Sequence, residues 1–125
     1  MHEKKYQNII QLSNEERYGY LVRKVADFET IYLIHDNFWK ISRYRINGIE
    51  CIKVFPEKEF GMIHVSSEKS KKVKKKNLYK FIKWIEKDHN ASLNLAVFPN
   101  NENEVKIIKG IELKNDILEE CKQYE

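Results

Sequence analysis

The hydrophobic period of the chain changes from that of a helix to that of a strand over residues 30–56, which read TIYLIHDNFWKISRYRINGIECIKVFP. Three segments of this stretch are rich in β-branched and aromatic residues, as strands are: Thr30 to His35, Phe38 to Tyr44 and Glu50 to Phe55. Asn47-Gly48, between the last two, is a strong hairpin signal because both residues accept the positive φ angles of a type I′ turn. Three strands joined by turns this short predict an antiparallel meander.

Helical patterns flank the meander. Ser13 and Glu16 form a capping-box sequence, and apolar residues at helical spacing follow, so a helix is expected from about Asn14 to Asp27. Asn77 is placed to cap a second helix, whose apolar stripe runs from Leu78 to Ile85. A short helix, two strands and a closing helix are expected in four further segments: Glu57 to Met62, Leu93 to Val97, Val105 to Ile108, and the stretch that contains Ile117, Leu118 and Cys121.

These elements predict an α+β fold with a mostly antiparallel five-stranded sheet, made of the three-strand meander and a C-terminal strand pair, with the helices packed on one face. The chain has 125 residues, 42% of them hydrophobic, with only 4 Gly and 2 Pro, which excludes disorder for most of its length. No repeat and no linker divides it, so residues 1–125 are expected to form a single domain.

The composition also bears on the compartment. No apolar run approaches the roughly 20 residues that span a bilayer, and the charged N-terminus lacks the apolar segment of a secretory signal, so we expect a cytoplasmic protein that does not act at a membrane. Cys51 and Cys121 lie 70 positions apart and have no metal-ligand spacing. They are therefore expected to be small buried residues rather than a disulfide or a metal site.

Short sequence blocks, in a fixed order, resemble a known family. The blocks are Glu16-Arg17-Tyr18, Val25-Ala26-Asp27, Trp39, Val54-Phe55-Pro56 and Ala96-Val97-Phe98-Pro99. Together they resemble the bacterial domain-of-unknown-function family number 2750, over roughly Leu12 to Cys121. The family usually carries a Trp-containing segment where this chain has Val65 to Lys76. The resemblance supports the fold and supplies no catalytic residues, because no activity is assigned to the family.

Positive charge is concentrated in one segment. Residues 69–87 hold nine Lys and one Glu, whereas residues 1–68 carry as many acidic as basic residues. Residues 66–76 contain almost no apolar side chains, so they are expected to form a mobile loop. The lysines that would create a positive potential in this loop are Lys69, Lys71, Lys72, Lys74, Lys75 and Lys76. Either they bind a polyanion such as nucleic acid, or they only solvate the loop, since no aromatic residue interleaves the run and no Arg is present in it.

Signatures of catalysis are missing from the sequence. The four histidines lie in four different segments without a second ligand at metal spacing, and no motif for a nucleophile elbow, a phosphate-binding loop or a zinc protease is present. Cys51 and Cys121 are more typical of core residues than of nucleophiles, although a pair with a histidine assembled in space stays open. We therefore predict no cofactor, no metal and no catalytic residue, and favour a non-enzymatic protein.

Aromatic residues crowd the first half of the chain beside several arginines, which is the composition of a protein interface centre. Along the second predicted strand, Phe38 and Tyr44 share a face with polar residues, so both are interface candidates, together with Arg43 and Arg45. The alternative is a sheet covered on both faces. The first functional hypothesis is binding to another protein, with a toxin-immunity or adaptor role as its concrete form. The second is polyanion binding through Lys69 to Lys76. The oligomeric state stays open.

Overall fold

The secondary structure comes from a computed structural model that describes residues 3–36, 40–66, 68–87 and 90–124. The helices are α1 Glu3–Ile10, α2 Asn14–Phe28, α3 Lys58–Val65, α4 Leu78–Glu86 and α5 Gly110–Cys121. The strands are β1 Thr30–His35, β2 Tyr44–Ile46, β3 Ile49–Phe55, β4 Lys72–Asn77, β5 Asn94–Val97 and β6 Lys106–Lys109. Single 3₁₀ turns follow α4 and α5, at Asn90–Ser92 and Lys122–Tyr124.

Local signals in the sequence set the helix starts and the hairpin. Ser13 Oγ accepts from the Glu16 backbone N–H, and Glu16 Oε1 accepts from the Ser13 N–H, both at 3.1 Å, so the expected capping box begins α2. Asn77 Oδ1 accepts from two backbone N–H groups in the first turn of α4. Asn47 and Gly48 have φ angles of 52° and 80° and join β2 to β3. Each of these elements confirms a prediction from the sequence.

The strands form one mixed sheet in the order β4-β1-β3-β5-β6, with β2 paired to the start of β3. The β3–β5 pair is parallel and every other pair is antiparallel. The parallel pair follows from the long connection between β3 and β5, which contains α3, β4 and α4. The α+β class and the mostly antiparallel sheet are thereby confirmed, and the sheet has one strand more than expected.

The predicted meander is only partly formed, because its second strand is broken. Ile41 makes a single bridge to His35, and the Ser42 N–H donates to the Ile34 carbonyl at 2.8 Å. Only Tyr44–Ile46 continues as β2 beside β3. The end of β3 therefore pairs directly with β1, at Leu33 and its neighbour Tyr32. The prediction of a continuous strand up to Tyr44 is wrong for the described residues from 40 to 43.

The lysine-rich segment is a strand from Lys72 onward, so the prediction of a loop over 66–76 is wrong for that part. Lys72–Asn77 pairs with all six residues of β1 in an antiparallel register. The apolar residues of β1 explain this pairing, since Ile31 and Leu33 are fully buried and need a neighbour on each side. Lysine is common on strands that end a sheet, where it opposes edge-to-edge aggregation.

Helices cover both faces of the sheet, whereas the sequence predicted one. Residues that pair across strands lie on the same face, so Leu33, Val54 and Lys74 share one face and Tyr32, Phe55 and Lys75 share the other. The first face packs against α2, α4 and α5 in the main core. The second, which we call the α3 face, packs against α3, where a Cβ on the glycine of this helix would lie 3.0 Å from a Val73 methyl group and 3.3 Å from the Phe55 ring.

Some predictions fall outside the described residues. These concern the interface candidate Phe38, the family block at Trp39 and two of the four histidines, His2 and His89. Cys51 is buried, as expected, whereas Cys121 is only partly buried. Among the described residues, no helix has the length and apolar character needed to cross a bilayer.

Candidate functional site

A lysine lies inside the protein on the α3 face. Lys53 follows Cys51 at strand spacing on β3, whereas Ile52 and Val54 point to the main core. Only 6% of the Lys53 surface is exposed. A buried ammonium group is costly unless it is paired, so a lysine in this position needs an explanation.

An aromatic ring lies beneath this lysine. Tyr44 pairs with Cys51 across β2 and β3, and the Lys53 Nζ atom lies 4.2 Å from the centre of the Tyr44 ring, within cation–π range. Lys71 Nζ lies 5.9 Å from the same ring and donates to Ser42 Oγ at 3.0 Å. The Tyr44 hydroxyl group is buried without a hydrogen-bond partner among the described residues, and burial raises the pKa of Tyr44 to about 12. Tyr44 therefore carries a proton at neutral pH and its ring supports two cations.

A polar cleft of about 330 Å³ opens beside Lys53. Its walls come from β3, from α3 and the residues just after it, and from the loop between β5 and β6. The lining residues are Lys53, Ile63, His64, Glu68, Asn101 and Asn103. The cleft thus collects a cation, a carboxylate, an imidazole and two amides from segments that are far apart in sequence.

His64 is neutral in this cleft. Its ring packs on Phe55 with the ring centres 5.0 Å apart, and Nε2 lies 3.1 Å from the Pro99 carbonyl oxygen. Burial, followed by the positive charge of Lys53, lowers the pKa of His64 to about 4. A carbonyl oxygen can only accept, so Nε2 carries the proton and Nδ1 carries the lone pair.

Lys53 lies near one carboxylate without forming an ion pair with it. Burial lowers the pKa of Lys53, and the charge of Glu68 opposes that shift. No contact within 4.0 Å joins Lys53 to a carboxylate in the described part of the chain. No group of three or more His, Cys, Asp or Glu side chains within this same part could hold a metal ion.

Asn101 and Asn103 are held in place by a hydrogen-bonded loop. Asn100 Oδ1 accepts from the Glu104 backbone N–H at 2.9 Å, which closes the loop, and Tyr6 of α1 donates to Asn101 Oδ1 at 2.6 Å. Arg17 of α2, only 2% exposed, donates to the Glu104 carbonyl oxygen at 2.6 Å. The loop wall of the cleft is therefore tied to two helices.

The predicted interface residues do not meet on one surface. Arg43 and Arg45 are exposed on the β2–β3 hairpin, where Arg43 pairs with Glu50 at 3.1 Å and Arg45 donates to the Gly48 carbonyl at 3.0 Å. Tyr44 points the other way and is half-buried under Lys53. Phe38 lies outside the described residues. The expectation that Tyr44 faces solvent is therefore wrong, and the binding role of the two arginines stays a prediction.

The predicted polyanion-binding lysines are divided by the strand. Lys69 and Lys71 precede β4, the side chains of Lys72, Lys74 and Lys76 alternate with those of Val73 and Lys75, and the two sets lie on opposite faces. Lys76 Nζ lies 5.7 Å from the Trp84 ring of α4. Between β4 and α3 lies a groove of about 430 Å³, which we call the β4 groove, lined by Lys58, Met62, Val65, Ser66, Lys71, Lys72 and Val73.

The fold and the cleft define a small α+β protein with a mixed sheet, helices on both faces and a buried lysine at a polar cleft. Residues 18–117 match the family model described as "Protein of unknown function (DUF2750)". The match covers most of the chain, so the chain belongs to this family. Neither the comparison with curated proteins nor that with solved structures found a match.

Sequence reasoning missed the cleft. The available signal was Lys53 itself, a charged residue within the otherwise apolar segment from Cys51 to Phe55. In the sequence His64 is one of four histidines in separate segments, and Glu68 has no partner near it. Their proximity depends on the packing of α3 against the sheet, which no local pattern reports.

Proposed function

We propose that this protein works by binding another protein, and that its partner supplies an acidic, extended segment to the β4 edge of the sheet. The observation that carries the proposal is the position of the lysine-rich segment, which forms the edge strand β4 beside a groove with an apolar floor. An immunity or adaptor role, with a toxin domain as one possible partner, is a narrower form of this proposal. A cytoplasmic setting, in which cysteines stay reduced, is part of this proposal.

The edge of β4 offers backbone hydrogen bonds. Among the described strands, β4 pairs only with β1. Alternate N–H and C=O groups of an edge strand point away from the sheet, and an extended peptide can pair with them as an added strand. The six residues of β4 are longer than the four of β6 at the opposite edge, so β4 is the better template.

The β4 groove adds side-chain recognition. Met62 is 49% exposed, and together with Val65 and Val73 it gives the groove an apolar floor. Lys58 and Lys72 lie on its rim. A segment that alternates acidic and apolar residues would bury its apolar side chains on the floor and place carboxylates near the lysines.

The same lysines select the type of partner. Two β4 strands from two copies of this chain would bring like charges together, which opposes pairing between copies. An acidic strand has the opposite effect. Nucleic acid is the less favoured ligand because the lysines occupy two faces, the run lacks the Arg that reads phosphates bidentately, and Lys71 is already engaged with Ser42.

Fluorescence anisotropy with a labelled peptide of alternating Glu and Val tests the proposal. We expect the double variant Lys58→Glu/Lys72→Glu, which reverses both lysines on the rim of the groove, to weaken binding by at least about tenfold, because two attractions become repulsions. The control Lys109→Glu/Lys122→Glu makes the same change in net charge far from the groove and is expected to bind like the wild type. A peptide with alternate N-methylated backbone nitrogens should not bind.

Three results would overturn the proposal. They are absence of peptide binding, equal losses in the two double variants, and full binding of the N-methylated peptide. Tighter binding of single-stranded RNA or duplex DNA than of the peptide would favour the polyanion function instead, with an affinity that falls steeply with salt.

A further inference from the structure

We infer that the polar cleft beside Lys53 is a binding site for a small zwitterion of the α-amino acid class, with the carboxylate of the ligand on Lys53 and its ammonium group on Glu68. This site is separate from the proposed protein-binding edge. It is formed by α3, β3 and the loop between β5 and β6, and of its lining residues none lines the β4 groove.

The first step is the unpaired charge of Lys53. Its side chain is buried, it has no hydrogen bond or ion pair in the described part of the chain, and the Tyr44 ring lies 4.2 Å from Nζ. A ring stabilises an ammonium group from one side but does not accept its three N–H bonds as a carboxylate would. An anionic group in the cleft would supply these acceptors.

The second step is the position of the opposite charge. Glu68 lines the same cleft and acts on Lys53 electrostatically, yet the two groups are not joined by an ion pair within 4.0 Å. A gap therefore separates a cation from an anion in one confined space. A simple anion would be attracted by Lys53 and repelled by Glu68, whereas a molecule with a carboxylate and an ammonium group on one carbon satisfies both residues.

The third step is the rest of the lining. Asn101 uses its Oδ1 to accept from Tyr6, which leaves its amide N–H groups as donors for a carboxylate. His64 adds no charge at neutral pH. Ile63 is 43% exposed and provides an apolar wall for a ligand side chain. The volume of about 330 Å³ is at the lower end of ligand sites, which favours a small molecule.

Isothermal titration of the full chain with three molecules of one carbon skeleton tests the inference. The probes are alanine, lactate and propionate, which carry an ammonium, a hydroxyl or no polar group beside the carboxylate. We expect alanine to bind at least about tenfold more tightly than propionate, because propionate leaves Glu68 without its charged partner. Lactate should lie between them.

Variants assign the two contacts. Lys53→Met should abolish alanine binding, and Glu68→Gln should reduce the affinity for alanine to that for lactate. Lys75→Met, which removes a lysine outside the cleft, should bind alanine like the wild type. Lys53→Met and Glu68→Gln leave the charge of β4 unchanged, so both should bind the Glu-Val peptide like the wild type. Loss of alanine binding with intact peptide binding therefore tests the cleft separately from the β4 edge. The inference would be overturned if alanine did not bind or if its binding survived Lys53→Met. It would also be overturned if alanine bound no more tightly than propionate, or more weakly than inorganic phosphate.

Discussion

Two cations are buried among the residues that the structure describes, Arg17 and Lys53, and their surroundings differ. Arg17 donates to the carbonyl oxygens of Phe98, Leu12 and Glu104 and to the side chain of Asn14. Lys53, in contrast, rests on the ring of Tyr44 and has no hydrogen-bond partner among the described residues. Both lie on well-packed elements and both are almost completely shielded from solvent.

This difference indicates that the charge of Arg17 stabilises the fold, whereas the charge of Lys53 is available to a ligand. The planar guanidinium of Arg17 has its donors directed at acceptors on three chain segments, so it joins the start of α2 to the loop after β5. The ammonium group of Lys53 contributes no such link. Burial lowers the pKa of Lys53 because the charged form loses part of its solvation in the fold, and in our proposal a ligand carboxylate restores that loss.

The largest effect is expected from the satisfied cation. Arg17→Met removes charged donors to three backbone carbonyl groups and leaves the buried carbonyl of Phe98 unpaired, so it should lower the free energy of unfolding by roughly 3 to 5 kcal/mol. Urea denaturation measures this loss. Arg23→Met, an exposed arginine in the same helix, should change it by no more than about 0.5 kcal/mol. If the two variants were similarly stable, the hydrogen bonds of Arg17 would not stabilise the fold as described.

A smaller effect is expected from the histidine beside the unsatisfied cation. The pKa of His64 is lowered to about 4 from its ordinary value of 6.5, so the unfolded chain binds a proton at this residue between these pH values and the folded chain does not. The stability contributed by the neutral imidazole is complete above pH 6.5 and is lost as the pH falls to 4, by roughly 3 kcal/mol in total.

Urea denaturation from pH 7 to pH 4 checks this dependence against His64→Gln, which keeps a donor for the Pro99 carbonyl and cannot titrate. The wild type should lose more stability than the variant over this range, since the other titratable groups are common to both. Parallel pH profiles would mean that His64 is protonated in the fold, and the electrostatic description of the cleft would be wrong.

The elements predicted correctly are those that local chemistry decides. The capping box at Ser13 and Glu16, the cap at Asn77 and the turn at Asn47-Gly48 each need only neighbouring residues, and all three are present. The lysine-rich segment was misjudged because β-strand formation depends on a partner. Its lysines have low strand propensity, yet the apolar strand β1 recruits them as its second neighbour.

The candidate site could not be predicted for a similar reason. Alternation along β3 places Lys53 on the face of the sheet that points away from the main core. Because the sequence predicts helices on only one face, this position is expected to face solvent. The helix α3 covers that face and buries the lysine. The polar residues on the same strand face predict that Tyr44 faces solvent, whereas it lies beneath two lysines. Which face a helix covers is a tertiary property that periodicity within one strand does not contain.

The stability of Lys53→Met without ligand tests the central claim most directly. Methionine keeps most of the length of this largely buried side chain and removes a charge that has no hydrogen-bond partner among the described residues. We therefore expect a free energy of unfolding equal to that of the wild type or higher, by up to about 1 kcal/mol. A loss as large as that expected for Arg17→Met would contradict the account, because it would mean that Lys53, like Arg17, is there to hold the fold together.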